Sequence, residues 1–155
     1  MKITKRIYAD TSVFGGKFDK EFEDASTEFF KQVEDGKFEL VTSAVVQEEI
    51  HDAPKEVREL FYEMLDRATV CDITEETLLL QKAYLDAKIV TEQWSDDALH
   101  VALASVSECE IIVSWNFRHI VHYEKIPLYN AVNILHGYKT IAIYSPLEII
   151  EYERD

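Results

Sequence analysis

The sequence contains few of the residues that interrupt secondary structure or cross-link a chain. Its 155 residues include four glycines, three prolines and two cysteines. Without a Gly/Ser-rich linker or an internal repeat, a chain of this length predicts one domain over residues 1–155 with a substantial core. Cys71 and Cys109 are expected to be small, reduced core residues rather than a disulfide or a metal site.

Long hydrophobic runs are also absent. No run of about 18 apolar residues occurs, so we expect no segment that spans a membrane. The first ten residues, MKITKRIYAD, include basic side chains, but no long apolar stretch follows them. They are therefore not expected to act as a signal peptide, and the sequence favours a cytoplasmic protein.

Positive charge is scarce: 16 basic residues stand against 30 acidic ones, which gives a net charge of −14. This argues against loose, non-specific binding of nucleic acid, which depends on neutralising phosphates. The charge suits a basic partner or a cation site, although it also serves solubility alone.

Short apolar runs alternate with helical patterns along the chain. We expect strands at 7–9, 38–42, 69–73, 110–114 and 140–144, with helices at 22–36, 43–53, 54–68, 75–90, 96–108 and from 146 onward. Ser43, Thr74 and Ser95 are expected N-caps, and Pro54 is expected in the first helical position. This alternation predicts a three-layer α/β/α sandwich with about five mostly parallel strands. In such folds the site lies beyond the carboxyl ends of the strands, near the point where strand order reverses.

An acidic residue follows the first expected strand. Asp10 comes directly after the run IYA. A carboxylate in that position is costly unless its charge is matched. Taken alone, Asp10 is more typical of a turn or a helix N-cap.

Two further acids stand near the ends of other elements. Glu49 lies on the helix after the second strand, where Glu48 and Glu49 point about 100° apart, so that one can face the sheet edge. Asp97 opens a helix that is otherwise almost entirely apolar. The plain alternative for Glu48 and Glu49 is that both are solvated. For Asp97 it is that the helix dipole favours an acid in the first turn.

The fourth strand ends in the pattern Ser114-x-Asn116. Clustered carboxylates repel one another unless a cation lies among them, and hard oxygen ligands select Mg²⁺ or Mn²⁺. A metal in such a cluster activates water and stabilises a pentavalent phosphorus centre. His100 is expected to be a core or helix-face residue, since no partner at ligand spacing is evident.

This order of motifs resembles the PIN-domain nucleases, including the toxins of type II toxin–antitoxin systems, over most of the chain. ADTS resembles the first Asp motif and places Asp10 in it. TSAVVQEEI resembles the Ser-then-Glu motif, with Glu49 in the acid position, and DALHVALA resembles the third motif, with Asp97. IVSWNF resembles the fourth, Thr/Ser-x-Asp, but has Asn116 where many members have Asp.

The resemblance implies a parallel sheet and metal-dependent hydrolysis of RNA phosphodiester bonds. It assigns Asp10, Glu49 and Asp97 as ligands of Mg²⁺ or Mn²⁺, and these three with Asn116 as catalytic residues. A basic antitoxin and a second copy of the chain are the implied partners. With Asn116 the site holds three carboxylates rather than four, which weakens the expected metal affinity.

A short basic and aromatic segment follows the fourth motif. Ser114, Arg118 and Lys125 are the expected substrate-binding residues, because an acidic protein needs a confined basic surface to contact phosphates. Trp94 and Trp115 are expected either to stack on bases or to pack in the core or a dimer interface.

Two functions from different classes fit these observations. The first is a metal-dependent endoribonuclease, the toxin of a toxin–antitoxin pair. The second is a catalytically weak or inactive PIN-like module that binds RNA or a protein partner. Retention of all three acids favours the enzyme. A haloacid-dehalogenase-like phosphatase is more remote, because its Asp-x-Asp motif is absent after the first strand.

Overall fold

Five strands form one sheet in the computed structural model, which describes residues 4–153. The strands are β1 Lys5–Ala9, β2 Phe38–Ser43, β3 Ala68–Cys71, β4 Ile111–Val113 and β5 Ala142–Tyr144. Their order across the sheet is β3-β2-β1-β4-β5, and each neighbouring pair is parallel. The predicted α/β architecture is confirmed.

Eight α-helices accompany these strands in the described part of the chain. They are α1 Thr11–Gly16, α2 Glu23–Glu34, α3 Ala44–Ile50, α4 Lys55–Leu65, α5 Glu75–Asp86, α6 Ser95–Val106, α7 Ile126–Leu135 and α8 Pro146–Ile149. A 3₁₀ turn over Glu92–Trp94 precedes α6. None of the helices within residues 4–153 has the length and apolar character needed to cross a membrane.

The helices pack as two layers. One group joins α1, α2, α3, α4 and α8 by mutual contacts, and the other joins α5, α6 and α7. Strand order explains this division, because right-handed crossovers that run toward β3 and those that run toward β5 place their helices on opposite faces. The central strand β1 is covered on both faces, and Ile7, Tyr8 and Ala9 are fully buried.

The chain reverses its direction across the sheet between β1 and β4. These two strands are neighbours, with Ala9 opposite Val113. The crossover after β1 leads to β2 and the crossover after β4 leads to β5, on opposite sides of this pair. The loops that follow β1 and β4 therefore leave a crevice at the carboxyl ends of the two strands. Asp10 and Ser114 are the first residues after the two strands, which places both motifs in this crevice.

Several local predictions hold and others need correction. Ser43 and Thr74 cap their helices as predicted, since each side chain accepts a backbone N–H three residues on. Pro54 is the N-cap rather than the first helical residue, and Ser95 is the first residue of α6 rather than its N-cap. The helix predicted over 75–90 ends at Asp86, because Lys88 adopts a left-handed backbone conformation with a φ of 59°.

Candidate active site

Asp10 is held at the end of β1 by two serine hydroxyls. Ser12 donates to its Oδ1 and Ser114 donates to its Oδ2, each at 2.6 Å. Asp10 is only 4% exposed and Ser114 is fully buried. The prediction that Ser114 binds substrate is therefore wrong, because a fully buried hydroxyl committed to Asp10 has no surface to offer a ligand.

The same serines join the loop after β1 to the loop after β4. The backbone N–H of Trp115 donates to Ser12 Oγ at 2.8 Å, and that of Asn116 donates to Ser114 Oγ at 2.9 Å. A serine placed two residues after Asp10 and another at the end of β4 thus fix both sides of the crevice. This explains why the strand ends in serine rather than in a usual turn residue.

Asp97 lies half-buried in the first turn of α6. Burial raises the pKa of Asp97, and the nearby His119 ring, the Asn116 side chain and the His100 ring offset this rise only in part. Glu49 raises the pKa further through its charge. Ionised Asp97 is thus less stable here than in water.

Asn116 uses its side chain to build the loop after β4. Its Oδ1 accepts the backbone N–H groups of Arg118 at 3.2 Å and His119 at 2.9 Å. The amide NH₂ is the donor that remains, and a hydrogen bond from the Asn116 side chain lowers the pKa of Asp97. The carbonyl oxygen is therefore occupied by the loop amides rather than free to bind a metal.

Glu49 has a partner that sequence reasoning missed. Its Oε1 lies 2.7 Å from Nε2 of His100, whose Nδ1 lies 2.7 Å from the Tyr8 hydroxyl. His100 is a core residue as expected, at 2% exposure, but it also has hydrogen-bonded partners that the spacing in the sequence did not indicate. The side chains come from β1, α3 and α6, and the separation of 51 positions between Glu49 and His100 hides the pair from any local pattern.

The three acids interact at the carboxyl edge of the sheet. Burial raises the pKa of Asp10, while His100, Ser114 and Ser12 lower it in part and the charge of Glu49 raises it again. Glu49 acts in the same way on Asp97. Asp10 and Asp97 are therefore both harder to ionise here than in water.

These residues suit a cation that keeps water molecules and substrate phosphates among its ligands. In the described residues, no three or more His, Cys, Asp or Glu side chains are grouped as a metal-binding cluster, which corrects the expected three-carboxylate set. Mg²⁺ does not require such a cluster, because it keeps several waters and commonly binds one or two carboxylates together with substrate phosphates. The carboxylates of buried Asp10 and half-buried Asp97, both with raised pKa values, fit that mode of binding.

An aromatic and cationic cluster borders the crevice. Trp94 stacks on the His119 ring at 4.6 Å, and the Arg118 guanidinium lies 5.7 Å from the Trp94 ring. Trp115 is buried, stacks on Phe22 at 4.2 Å and donates its indole N–H to a core serine. Trp115 is therefore a core residue, and base stacking is wrong for it.

Two of the predicted basic contacts differ in their availability. Arg118 is exposed at the crevice. Lys125 is only half-exposed, and its amine donates to the backbone carbonyl of Ile89. Arg118 therefore remains the stronger candidate for contact with a phosphate.

Comparison with known proteins identifies similar folds but no close relative in sequence. No family model and no curated protein matches the chain. FitAcB from Neisseria gonorrhoeae superimposes with a TM-score of 0.55 at 12% identity, over 92% of this chain and 99% of that one.

Two further solved structures show the same fold. VapBC2 from Rickettsia felis, bound to a DNA fragment from its promoter, matches with a TM-score of 0.55 at 11% identity over 89% and 96% of the two chains. FitAB bound to an IR36 DNA fragment matches with a TM-score of 0.54 at 12% identity over 96% and 98%. The PIN-like fold implied by the four motifs is thus confirmed. At these identities the likeness concerns the fold alone.

Proposed function

We propose that the protein is a metal-dependent endoribonuclease that hydrolyses RNA phosphodiester bonds in the crevice between β1 and β4, as the toxin of a toxin–antitoxin pair. The observation that carries the proposal is the pair of carboxylates, Asp10 and Asp97, whose pKa values are raised by burial beside Glu49. A cation beside these groups would stabilise their ionised forms, and the fold matches that of toxins from toxin–antitoxin systems.

Mg²⁺ or Mn²⁺ is the proposed cofactor, held by Asp10 and Asp97. When bound, either ion would supply Lewis-acid stabilisation of the phosphate and a more acidic water. Ser12 and Ser114 orient Asp10 by donating to both of its oxygens. Asn116 orients Asp97 and shapes the adjoining loop.

Glu49 is the proposed proton acceptor. Its Oε1 is bonded to His100, while its side chain keeps 36% of its surface exposed at the crevice. Oε2 can thus accept a proton from an attacking water. Arg118 would contact a substrate phosphate, which gives an acidic protein a confined site for RNA.

The proposed activity is tested on a mixed pool of single-stranded and structured RNA with Mg²⁺, Mn²⁺ or EDTA. The wild type is expected to cleave with a metal and to stop in EDTA, and Asp10→Asn is expected to lose most of the activity. Equal cleavage by both proteins would indicate a contaminating nuclease. Absence of cleavage by the wild type with either metal would overturn the proposal.

A basic antitoxin and a second copy of the chain are the proposed protein partners. The structural neighbours are toxin–antitoxin complexes, and a net charge of −14 favours a basic partner. Apolar side chains on α5 and α7 are also exposed, among them Leu79, Ile134 and Leu135. Light scattering of the isolated protein tests the dimer, and co-purification with the product of an adjacent small reading frame tests the antitoxin.

The second candidate is an inactive module that keeps this fold to bind RNA or a protein. The observation that favours it is Asn116, whose carbonyl oxygen serves the loop and whose position lacks the fourth negative charge. This candidate predicts RNA binding or partner binding without cleavage under every metal condition.

A further inference from the structure

Four side chains form a hydrogen-bonded line from the core to the crevice. Ser43 Oγ lies 2.8 Å from the Tyr8 hydroxyl, which lies 2.7 Å from Nδ1 of His100, and His100 Nε2 lies 2.7 Å from Oε1 of Glu49. Tyr8 and Ser43 are fully buried and His100 is 2% exposed, whereas Glu49 reaches the surface. The line thus connects a fixed interior to a side chain at the candidate active site.

The chemistry of the groups fixes the direction of the last bond. An ionised carboxylate only accepts hydrogen bonds, so His100 Nε2 must carry the proton that faces Glu49. At the other end, the Ser43 hydroxyl accepts the N–H of Val46 at the start of α3. Ser43 can therefore donate to Tyr8, and Tyr8 to Nδ1, an arrangement that agrees with a proton on Nε2 facing Glu49.

This line gives Glu49 an orientation that its own helix does not provide. An exposed glutamate normally samples several rotamers, and fixing it has an entropic cost. Here the ring that holds it is immobilised by burial and by a second hydrogen bond from β1. The partners lie on three separate elements, β1, α3 and α6, so the arrangement depends on the tertiary fold.

We propose that His100 is a positioning residue that holds the Glu49 carboxylate for proton transfer, with Tyr8 and Ser43 holding His100. The inference rests on the proposed nuclease function and adds to it a reason for a histidine three residues after Asp97. His100 contacts neither the RNA nor the reacting atoms in this scheme. Its effect passes through Oε1 of Glu49 and leaves Oε2 free.

Nitrogen-15 NMR of the side chains tests the geometry without any activity measurement. A proton is expected on His100 Nε2, and its resonance should shift in Glu49→Gln. His136, exposed at the end of α7, is the internal reference and should not move. An unprotonated Nε2, or no response to Glu49→Gln, would overturn the proposal.

Kinetics of two matched variants test the functional part. The amide of His100→Gln can occupy the place of Nε2, whereas that of His100→Asn reaches only the place of Nδ1. We expect His100→Asn to lower kcat by about 10- to 100-fold with little change in KM, in the range of other residues that orient active-site groups. His100→Gln should recover most of that loss. Equal losses in both variants, or full activity in a folded His100→Asn, would overturn the positioning role.

Tyr8→Phe covers the case in which the His100 variants do not fold. It keeps the ring in the core and removes only the hydroxyl, so we expect a smaller fall in kcat and an altered His100 resonance. An unchanged resonance would contradict the line of hydrogen bonds. A wild type with a protonated Nε2 but no cleavage under any metal condition would contradict the proposed function, whereas an active wild type with an unprotonated Nε2 would contradict His100 positioning alone.

Discussion

At the scale of single residues, Asp97 contributes to how stability responds to pH. Its raised folded-state pKa means that Asp97 ionises more readily in the unfolded chain. The stability that it contributes is therefore present below its unfolded pKa, about 3.9, and is lost as pH rises through the raised folded value. In EDTA, we expect Asp97→Asn to unfold at a higher temperature than the wild type at pH 7, with the difference shrinking toward pH 4. If the difference in unfolding temperature stayed constant from pH 7 to pH 4, the raised pKa of Asp97 would be contradicted.

Asn116 offers a complementary test of the same charge. Asn116→Asp keeps an acceptor for the loop amides but removes the donor to Asp97 and adds a second negative charge. The variant is expected to be less stable than the wild type in EDTA and to gain more stability from Mn²⁺ in thermal unfolding. The exchange variant D97N/N116D has the wild-type net charge, so it should not show the additional stabilisation by Mn²⁺ that is expected for Asn116→Asp. A smaller response of Asn116→Asp to Mn²⁺ than that of the wild type would place Asn116 outside the metal site.

At the scale of elements, the short helix α1 is fixed by close packing at its end. A Cβ on Gly16 would lie 2.6 Å from Ser26 Oγ and 2.6 Å from the Trp115 indole nitrogen, whereas a Cβ on Gly15 would meet nothing within 4 Å. Gly16→Ala should therefore cost about 1–3 kcal/mol of unfolding free energy. Gly15→Ala, the matched control, should be neutral or stabilise by up to about 1 kcal/mol. Urea unfolding of both variants measures this, and equal effects would contradict the tight contact.

The elements also show what a sequence reveals and what it conceals. Apolar runs predict the strands, and Asp10 and Asp97 stand out as candidates because one follows a strand and the other lies in the first turn of a helix. The helices α1 and α7 were missed, since α1 is a single short element with two glycines and α7 has polar residues within its apolar pattern. The bond between His100 and Glu49 was also missed, because contacts between separate elements leave no periodic signal.

At the scale of the whole molecule, the negative charge limits how RNA binds. A protein with a net charge of −14 can neutralise only a few phosphates, and each contact contributes a slope of about −0.7 to the dependence of log affinity on log salt for a single strand. We expect a total slope of about −1 to −2 for the wild type. Arg118→Ala should make the slope shallower by the contribution of about one phosphate contact. Lys139, exposed before β5 at the opposite edge, is the control, and an equal effect of Lys139→Ala would place the RNA elsewhere.

The central claim is that Asp10 and Asp97 share one cation in the crevice between β1 and β4. Anomalous diffraction from crystals soaked in Mn²⁺, at a concentration that supports cleavage in solution, tests it most directly. We predict one anomalous peak between the two carboxylates, with Glu49 still bonded to His100, and no such peak in crystals of Asp97→Asn. Manganese at another surface, or an unoccupied crevice under those conditions, would contradict the claim.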